Sequence, residues 1–191
     1  MTHNEIIEIF EKTNALLKGH FLLTSGKHSD TYFQCAKVLQ YPHYTKKIIN
    51  ELSEFLSTLE FESVIAPAMG GLIVGYETAR QTRKRFIFTE RENNEMKLRR
   101  GFTINKGERF LVCEDVVTTG GSVKEVINII EQNGGIVAGV ISIVDRSNGK
   151  VDFGYPFKSV LQLDVVTYEP ENCPMCKAGL EIVKPGSRKI K

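Results

Sequence analysis

Apolar side chains fall at two different spacings along this chain, and the changes of spacing mark out its elements. Over residues 4–17, Ile6, Ile7, Phe10 and Leu17 recur at helical intervals and predict an opening helix. Residues 20–39, HFLLTSGKHSDTYFQCAKVL, read as two strands around the polar turn TSGKHSD. Pro42 then opens a helix, because its fixed φ and missing N–H suit a first turn. Ile48, Ile49, Leu52, Phe55, Leu56 and Leu59 form the apolar stripe of that helix.

From residue 63 the pattern changes to short, continuous apolar runs. SVIAPA predicts a buried strand, MGG a turn, LIVGYETARQTRK a helix and RFIFTE the next strand. The charged stretch RENNEMKLRRGFTINKGE separates this strand from RFLVCED. A helix follows over about 122–133, with Asn133, Gly134 and Gly135 as its stop. IVAGVISIVDR and SVLQLDVV complete the strands. Strands apolar on both faces and alternating with helices predict an α/β fold, a parallel sheet flanked by helices. Ligands of such sheets sit beyond the carboxyl ends of the strands. Three polar clusters fall there: APAMGG, EDVVTTGGS and DRSNG.

A chain of 191 residues fits one domain with at most a small appended lobe, and can bury a core without disulfides or metals. With 41% hydrophobic and 25% charged residues it reads as an ordinary soluble protein. The net charge of +2 gives no bulk attraction to nucleic acid. No run approaches the roughly 18 apolar residues of a membrane span, and MTHNEIIEIFEK resembles no signal peptide. The expectation is a cytoplasmic protein with neither membrane nor nucleic acid as partner. Of the cysteines, Cys35 and Cys113 lie in apolar segments and read as buried thiols. Cys173 and Cys176 form a C-x-x-C, half of a usual zinc set. They are read as reduced structural cysteines, with zinc shared across an oligomer as the alternative.

The order of residues in LVCEDVVTTGGSV, 111–123, is not one that core packing asks for. Thr118 to Ser122 fall where a strand turns into a helix. Glycines there allow tight turns whose successive N–H groups form an anion nest, and the helix N-terminus adds partial positive charge. The hydroxyls of Thr118, Thr119 and Ser122 add donors. No G-x-x-x-x-G-K-[ST] run exists, and APAMGGLIVG does not match G-x-G-x-x-G, so a single phosphate fits better than a triphosphate or dinucleotide. Glu114 and Asp115 suit vicinal sugar hydroxyls or a hydroxyl-bound divalent cation. The residues alone therefore read as a ribose 5-phosphate site; the alternative is a strand ending in solvated acids with Ser122 as a helix cap.

CEDVVTTGGSV closely resembles the phosphoribosyl-pyrophosphate (PRPP) signature of the type I phosphoribosyltransferase family. GHFLLTSGKHSDTYFQ, with Asp145 and Arg146, resembles the orotate-specific branch of that family. CPMCKAGLEIVKPGSRK resembles the tail of its monofunctional bacterial and archaeal subgroup. The resemblance runs over nearly the whole chain. It implies a single phosphoribosyltransferase domain over 1–191, with a hood of mainly 1–40 plus the tail 167–191, and a core of about 42–166. It implies transfer of the ribose 5-phosphate group of PRPP to orotate, giving orotidine 5′-monophosphate and pyrophosphate with Mg²⁺, in a homodimer. Mg²⁺ would be held mainly through PRPP, without a dedicated set of protein ligands.

The same resemblance implies residue roles. Glu114, Asp115, Val116, Val117, Thr118, Thr119, Gly120, Gly121 and Ser122 would bind PRPP, the acids on the ribose and the TTGGS backbone on the 5′-phosphate. Thr118, Arg146 and Lys27 would contact orotate, Arg146 pairing with its carboxylate as guanidinium does. Catalysis would rest on Asp115, Arg91 and Lys97. Residues 90–101 resemble the mobile loop that closes over pyrophosphate, with Arg91, Lys97, Arg99 and Arg100 as its cations; the plain alternative is a solvated hairpin. The chain departs from better-known orotate enzymes at Thr24 and Gly70, where those have lysine, and Lys27 and Arg91 are expected to take over. His28 is read as a substrate contact or a satisfied surface histidine. The rival readings are a phosphoribosyltransferase for another nucleobase and a non-catalytic PRPP-sensing regulator. The first would leave Arg146 without a carboxylate, and the second would call for a basic face or an added helix-turn-helix.

Overall fold

A computed structural model describes residues 1–23, 25–163 and 166–185. Helix α1 (His3–Lys12) starts at a capping box: the Glu5 N–H donates to Thr2 Oγ1, and the Thr2 N–H donates to Glu5 Oε2. It ends before the predicted residue 17. The Thr13 hydroxyl turns back onto the Ile9 carbonyl and Asn14 takes a positive φ of 53°, so Leu17 begins a new direction. Strands β1 (Leu16–Leu22) and β2 (His28–Phe33) form the expected antiparallel hairpin.

A short helix α2 (Ala36–Leu39) leads to α3 (Pro42–Asn50) and α4 (Ser53–Ser57). The single helix predicted after Pro42 is split. At Glu51 and Leu52 the N–H groups donate to carbonyls three residues back, a local tightening that turns the axis. The stripe survives the break, since Ile48, Ile49, Leu52 and Leu56 are all buried.

The remaining elements are β3 (Ser63–Pro67), α5 (Gly71–Thr82), β4 (Arg85–Glu92), β5 (Glu95–Leu98), β6 (Arg109–Val117), α6 (Gly121–Gln132), β7 (Ile136–Asp145) and β8 (Phe157–Gln162). They build a six-stranded sheet in the order β5-β4-β3-β6-β7-β8, parallel except for the β4–β5 pair. Neighbouring residues of a strand point to opposite faces. Val64, Leu111 and Ile141 pack on the side of α1, α3 and α5, while Ile65, Val112 and Val140 pack against Val123, Val126 and Ile130 of α6. Burying each such side chain fully stabilises the fold by about 1.5–3 kcal/mol.

Strand β5 takes the form of the plain alternative for 90–101, a solvated hairpin, within the charged stretch 91–108. Glu95–Leu98 pairs back onto Thr89–Glu92 through Asn93 and Asn94, with φ of 50° and 66°. Two consecutive positive φ values are what a two-residue hairpin of the native twist demands, and asparagine tolerates them.

After β8 the last strand predicted, SVLQLDVV, stops at Gln162; Asp164 and Val165 lie outside the described residues. Strand β9 (Thr167–Tyr168) adds to β2, giving a three-stranded sheet β1-β2-β9. A turn of 3₁₀ helix at Pro170–Asn172 and α7 (Pro174–Lys177) follow. The tail then runs beside β1: the Val183 N–H donates to His20 O at 2.8 Å and the Leu22 N–H to Val183 O at 2.9 Å. Among the described residues no helix is long and apolar enough to cross a membrane.

Candidate active site

The phosphate cradle forms where β6 passes into α6. Gly120 sits at the helix N-cap with φ 74°, and a Cβ there would lie 2.7 Å from Phe153 Cε1 and 2.8 Å from Val151 Cγ1. Both the turn and the packing behind it therefore require glycine. No side chain caps α6, and Ser122 lies inside its first turn, so the reading of Ser122 as a cap is set aside. First-turn N–H groups without a side-chain cap are the donors an anion uses. Val116 to Ser122, with Arg91, Glu114 and Glu125, line a concavity of about 170 Å³.

A larger cleft of about 560 Å³ adjoins it, sharing Glu114, Val116, Thr118 and Ser122. Tyr32 and Phe33 of β2 form its hood side; Gly70, Asp115 and Arg146 belong to its core side. The two acids are tied along the strand end. The Asp115 N–H donates to Glu114 Oε1 at 3.0 Å, and the Val116 N–H to Asp115 Oδ1 at 2.8 Å. Gly70 follows the cis Ala68–Met69 peptide and approaches Asp115 so closely that a Cβ there would lie 2.5 Å from Oδ1 and 2.6 Å from Oδ2. At Gly70 the second acid occupies the space a lysine stem would enter, so a lysine there requires the Asp115 carboxylate to move.

Arg146 is placed by the turn after β7. Asp145 accepts the N–H groups of Ser147 at 2.8 Å and Gly149 at 2.9 Å, and the Arg146 N–H donates to Val117 O at 2.8 Å. Its side chain lines the cleft, its Nε is buried without a protein partner, and it makes no ion pair among the described residues. Burial lowers its pKa from the ordinary arginine value, against the opposing influence of Tyr32 and Cys35. Burial likewise raises Tyr32, with Arg146 pulling the other way. Cys35, whose Sγ lies 3.9 Å from Asp115 O, is buried as expected, as is Cys113. Burial, reinforced for Cys35 by Asp115 and Glu114, pushes both thiols up and leaves them unreactive.

The structure therefore brings Glu114 to Ser122, Arg146 and, at the rim, Arg91 together, and places Lys97 and Lys27 elsewhere. Arg91 reaches the rim of the cradle, where its guanidinium pairs with Glu125 and donates to Asn94 O at 2.7 Å. Lys97, on β5, pairs with Glu92 at 3.4 Å and Glu95 at 3.5 Å and lines neither concavity. Arg99 pairs with Glu92 and Arg100 with Glu90. Lys27 pairs with Glu169 at 2.7 Å in the hood and also lines neither; Thr24 lies outside the described residues. His28 is hydrogen-bonded to His20 and lines neither concavity; it is a satisfied histidine, but at 7% exposure a buried one rather than a surface one. The residue that sequence reasoning missed is Lys184, which the tail lays into the cleft with Pro185. Only the run VKPGSR hinted at it, and nothing local says where that run goes.

Known proteins agree with this geometry. The phosphoribosyl transferase domain family matches residues 39–172. The chain is 59% identical over 190 residues to the orotate phosphoribosyltransferase of Caldanaerobacter subterraneus subsp. tengcongensis, covering 100% of both chains. It is equally similar, over the same span, to the orotate phosphoribosyltransferase of a Thermoanaerobacter species. Among solved structures, the orotate phosphoribosyltransferase of Aeropyrum pernix superposes with a TM-score of 0.70 at 25% identity, covering 83% of this chain and 93% of the other. The chain belongs to the orotate phosphoribosyltransferase family.

Proposed function

We propose that this chain transfers the ribose 5-phosphate group of PRPP to orotate, releasing pyrophosphate and orotidine 5′-monophosphate, a step of pyrimidine nucleotide synthesis. Family membership supports the reaction, and one observation of this structure supports the substrate. Arg146 stands in the cleft wall with a buried, unpartnered Nε beside the sugar-side acids. A buried donor left unpaired costs about 1–3 kcal/mol, and a planar carboxylate relieves that cost with two parallel hydrogen bonds.

The uncapped first turn of α6 takes the 5′-phosphate, and Glu114 and Asp115 accept hydrogen bonds from the ribose hydroxyls. Orotate lies between Tyr32, Thr118 and Arg146. Its N1–C1 bond forms as the C1–O bond to pyrophosphate breaks, the electron pair leaving with pyrophosphate, through an oxocarbenium-like sugar, and the N1 proton is given up to the departing pyrophosphate. No side-chain nucleophile takes part; positioning and charge do the chemistry. Mg²⁺, which the acid pair fits as a hard-oxygen site, would be held mainly by PRPP and would neutralise the diphosphate. Arg91 and Lys97 supply charge to the leaving group when hairpin 90–101 bends over the cradle. Their ion pairs with Glu125, Glu92 and Glu95 are half-exposed, and such pairs resist opening by only about 0–1 kcal/mol. Lys27 joins orotate only when its Glu169 pair opens, whereas Lys184 already lies at the cleft.

The chain works as one domain, a hood of 1–40 and 167–191 over a core of 42–166; the pairing of β9 with β2 supports that division. A cytoplasmic homodimer is the working form. Exposed Met69, Ile73 and Tyr76, on α5 and the loop before it, support a second copy there, and four free thiols suit a reducing compartment. The test is ultraviolet absorbance with protein, Mg²⁺ and PRPP, and orotate, adenine, hypoxanthine or uracil in parallel. Consumption of orotate alone is expected. Consumption of another base overturns the substrate, and PRPP binding without reaction of any base makes the cleft a sensor.

A further inference from the structure

Four side chains converge behind the hood, outside the cleft. His20 of β1, His28 of β2, Cys173 and Cys176 present ligand atoms that all lie within 4.8 Å of one another. The sequence holds the two pairs about 150 residues apart, and the tail brings them together. His20, His28 and Cys173 are buried, and Cys176 closes the group on the solvent side.

The geometry points to a structural zinc site of the Cys₂His₂ type, completed within a single chain rather than shared across an oligomer. A tetrahedral zinc ion, with Zn–S of about 2.3 Å and Zn–N of about 2.0–2.1 Å, sets N···S edges of roughly 3.5 Å. Three of the four N···S edges measure 3.3 Å (Cys176–His28), 3.5 Å (Cys173–His20) and 3.6 Å (Cys176–His20), and the fourth, Cys173–His28, lies within the 4.8 Å span of the group. The His20 Nε2 to His28 Nδ1 distance is 2.9 Å, somewhat shorter than the roughly 3.3 Å of such an edge, so the ion opens the pair slightly. His20 Nδ1 lies 2.8 Å from Leu180 O, so this nitrogen donates to the carbonyl and Nε2 turns its lone pair on the cluster. Two thiols and an imidazole lone pair meeting behind a small sheet select a borderline-soft ion over Mg²⁺.

The site ties together three segments, β1, β2 and the tail. Cys173 and Cys176 flank the start of α7. A few residues on, Val183 bonds to His20 and Leu22, and Lys184 and Pro185 enter the cleft. The ion would therefore fix the path of the tail, and with it one wall of the cleft. Binding releases the protons of both thiols and so weakens in acid.

The experiment is a Co²⁺ titration of the reduced, metal-free full chain, followed by zinc competition. One equivalent should bind with thiolate-to-cobalt charge transfer and tetrahedral ligand-field bands, and zinc should displace it. Cys176→Ser, at an exposed position, should fold and lose more than the about 10–100-fold in zinc affinity that removal of an outer-shell partner costs. Hydrogen exchange should show protection gained on zinc binding in β1, β2 and 173–183 and unchanged in β6 and β7. Absence of a one-to-one complex, cobalt spectra without thiolate bands, or equal zinc affinity in Cys176→Ser would each overturn the site. So would a Cys173–Cys176 disulfide in protein purified from the cytoplasm.

Discussion

In the six-stranded sheet, β3 buries every one of its residues, whereas in the three-stranded hood sheet β1 buries only His20 and Phe21. The buried residues of β2 are His28, Ser29 and Phe33, so most of what the hood hides on its two main strands is polar. The core sheet is sandwiched by helices and stabilised by apolar area. The base of the hood shares the apolar core through Ile6, Ile9, Phe10 and Phe33, whereas its outer part adds point attachments: the Ser29 hydroxyl on Val166 O, Lys27 on Glu169, Val183 along β1, and the His–Cys cluster. The cleft lies between these two constructions. Its core wall carries the cradle, the acids and Arg146 on the ends of buried strands; its hood wall combines Phe33, which belongs to the apolar core, with segments held by these tethers.

This contrast can be tested, starting with the largest effect. Leu111→Ala, fully buried on β6, should cost about 2–5 kcal/mol of global stability, read from the denaturant midpoint. A loss below 1 kcal/mol would mean the sheet is not the stability reservoir described. Arg146→Ala should lower kcat/KM for orotate by about 2–5 kcal/mol, some thirty- to several-thousandfold, with unfolding nearly unchanged. An equal loss of stability would make Arg146 a structural residue. Gly120→Ala should cost about 1–3 kcal/mol from the positive φ alone, weakening PRPP binding more than orotate binding. The smallest effect belongs to the hairpin: Asn94→Gly, at φ 66°, should stabilise by a few tenths of a kcal/mol or leave stability unchanged. A marked loss would show that the Asn94 side chain has a role beyond the turn.

Much of this molecule was legible in the sequence, and the exceptions share a cause. The core strands were visible because continuous apolar runs betray double-sided burial, and the cradle because its signals lie within nine consecutive residues. The helix predicted through Leu17 failed because apolar spacing does not register a left-handed asparagine at position 14. Strand β5 was covered only by the alternative reading of 90–101 as a solvated hairpin, because EMKL is short and half-exposed, although the pair Asn93–Asn94 was a usable turn signal. Lys184, and the partnership of His20 with Cys173 and Cys176, were beyond local reading. Each depends on the route of a tail that returns to β1 over some 150 residues, a tertiary fact with no periodicity to announce it.

The contact between Gly70 and Asp115 bears on which sequences this fold can accept. With the carboxylate 2.5 Å from where a Cβ would be, positions 70 and 115 are not independent variables. A chain that carries a side chain at the first must swing the second acid aside, and one that keeps the acid in this rotamer must keep glycine. The missing lysine is then half of a paired choice, and restoring it alone would import a cation at the expense of the carboxylate's placement. The effect of a side chain at position 70 is therefore read in the placement of the Asp115 carboxylate as well as in the charge it adds.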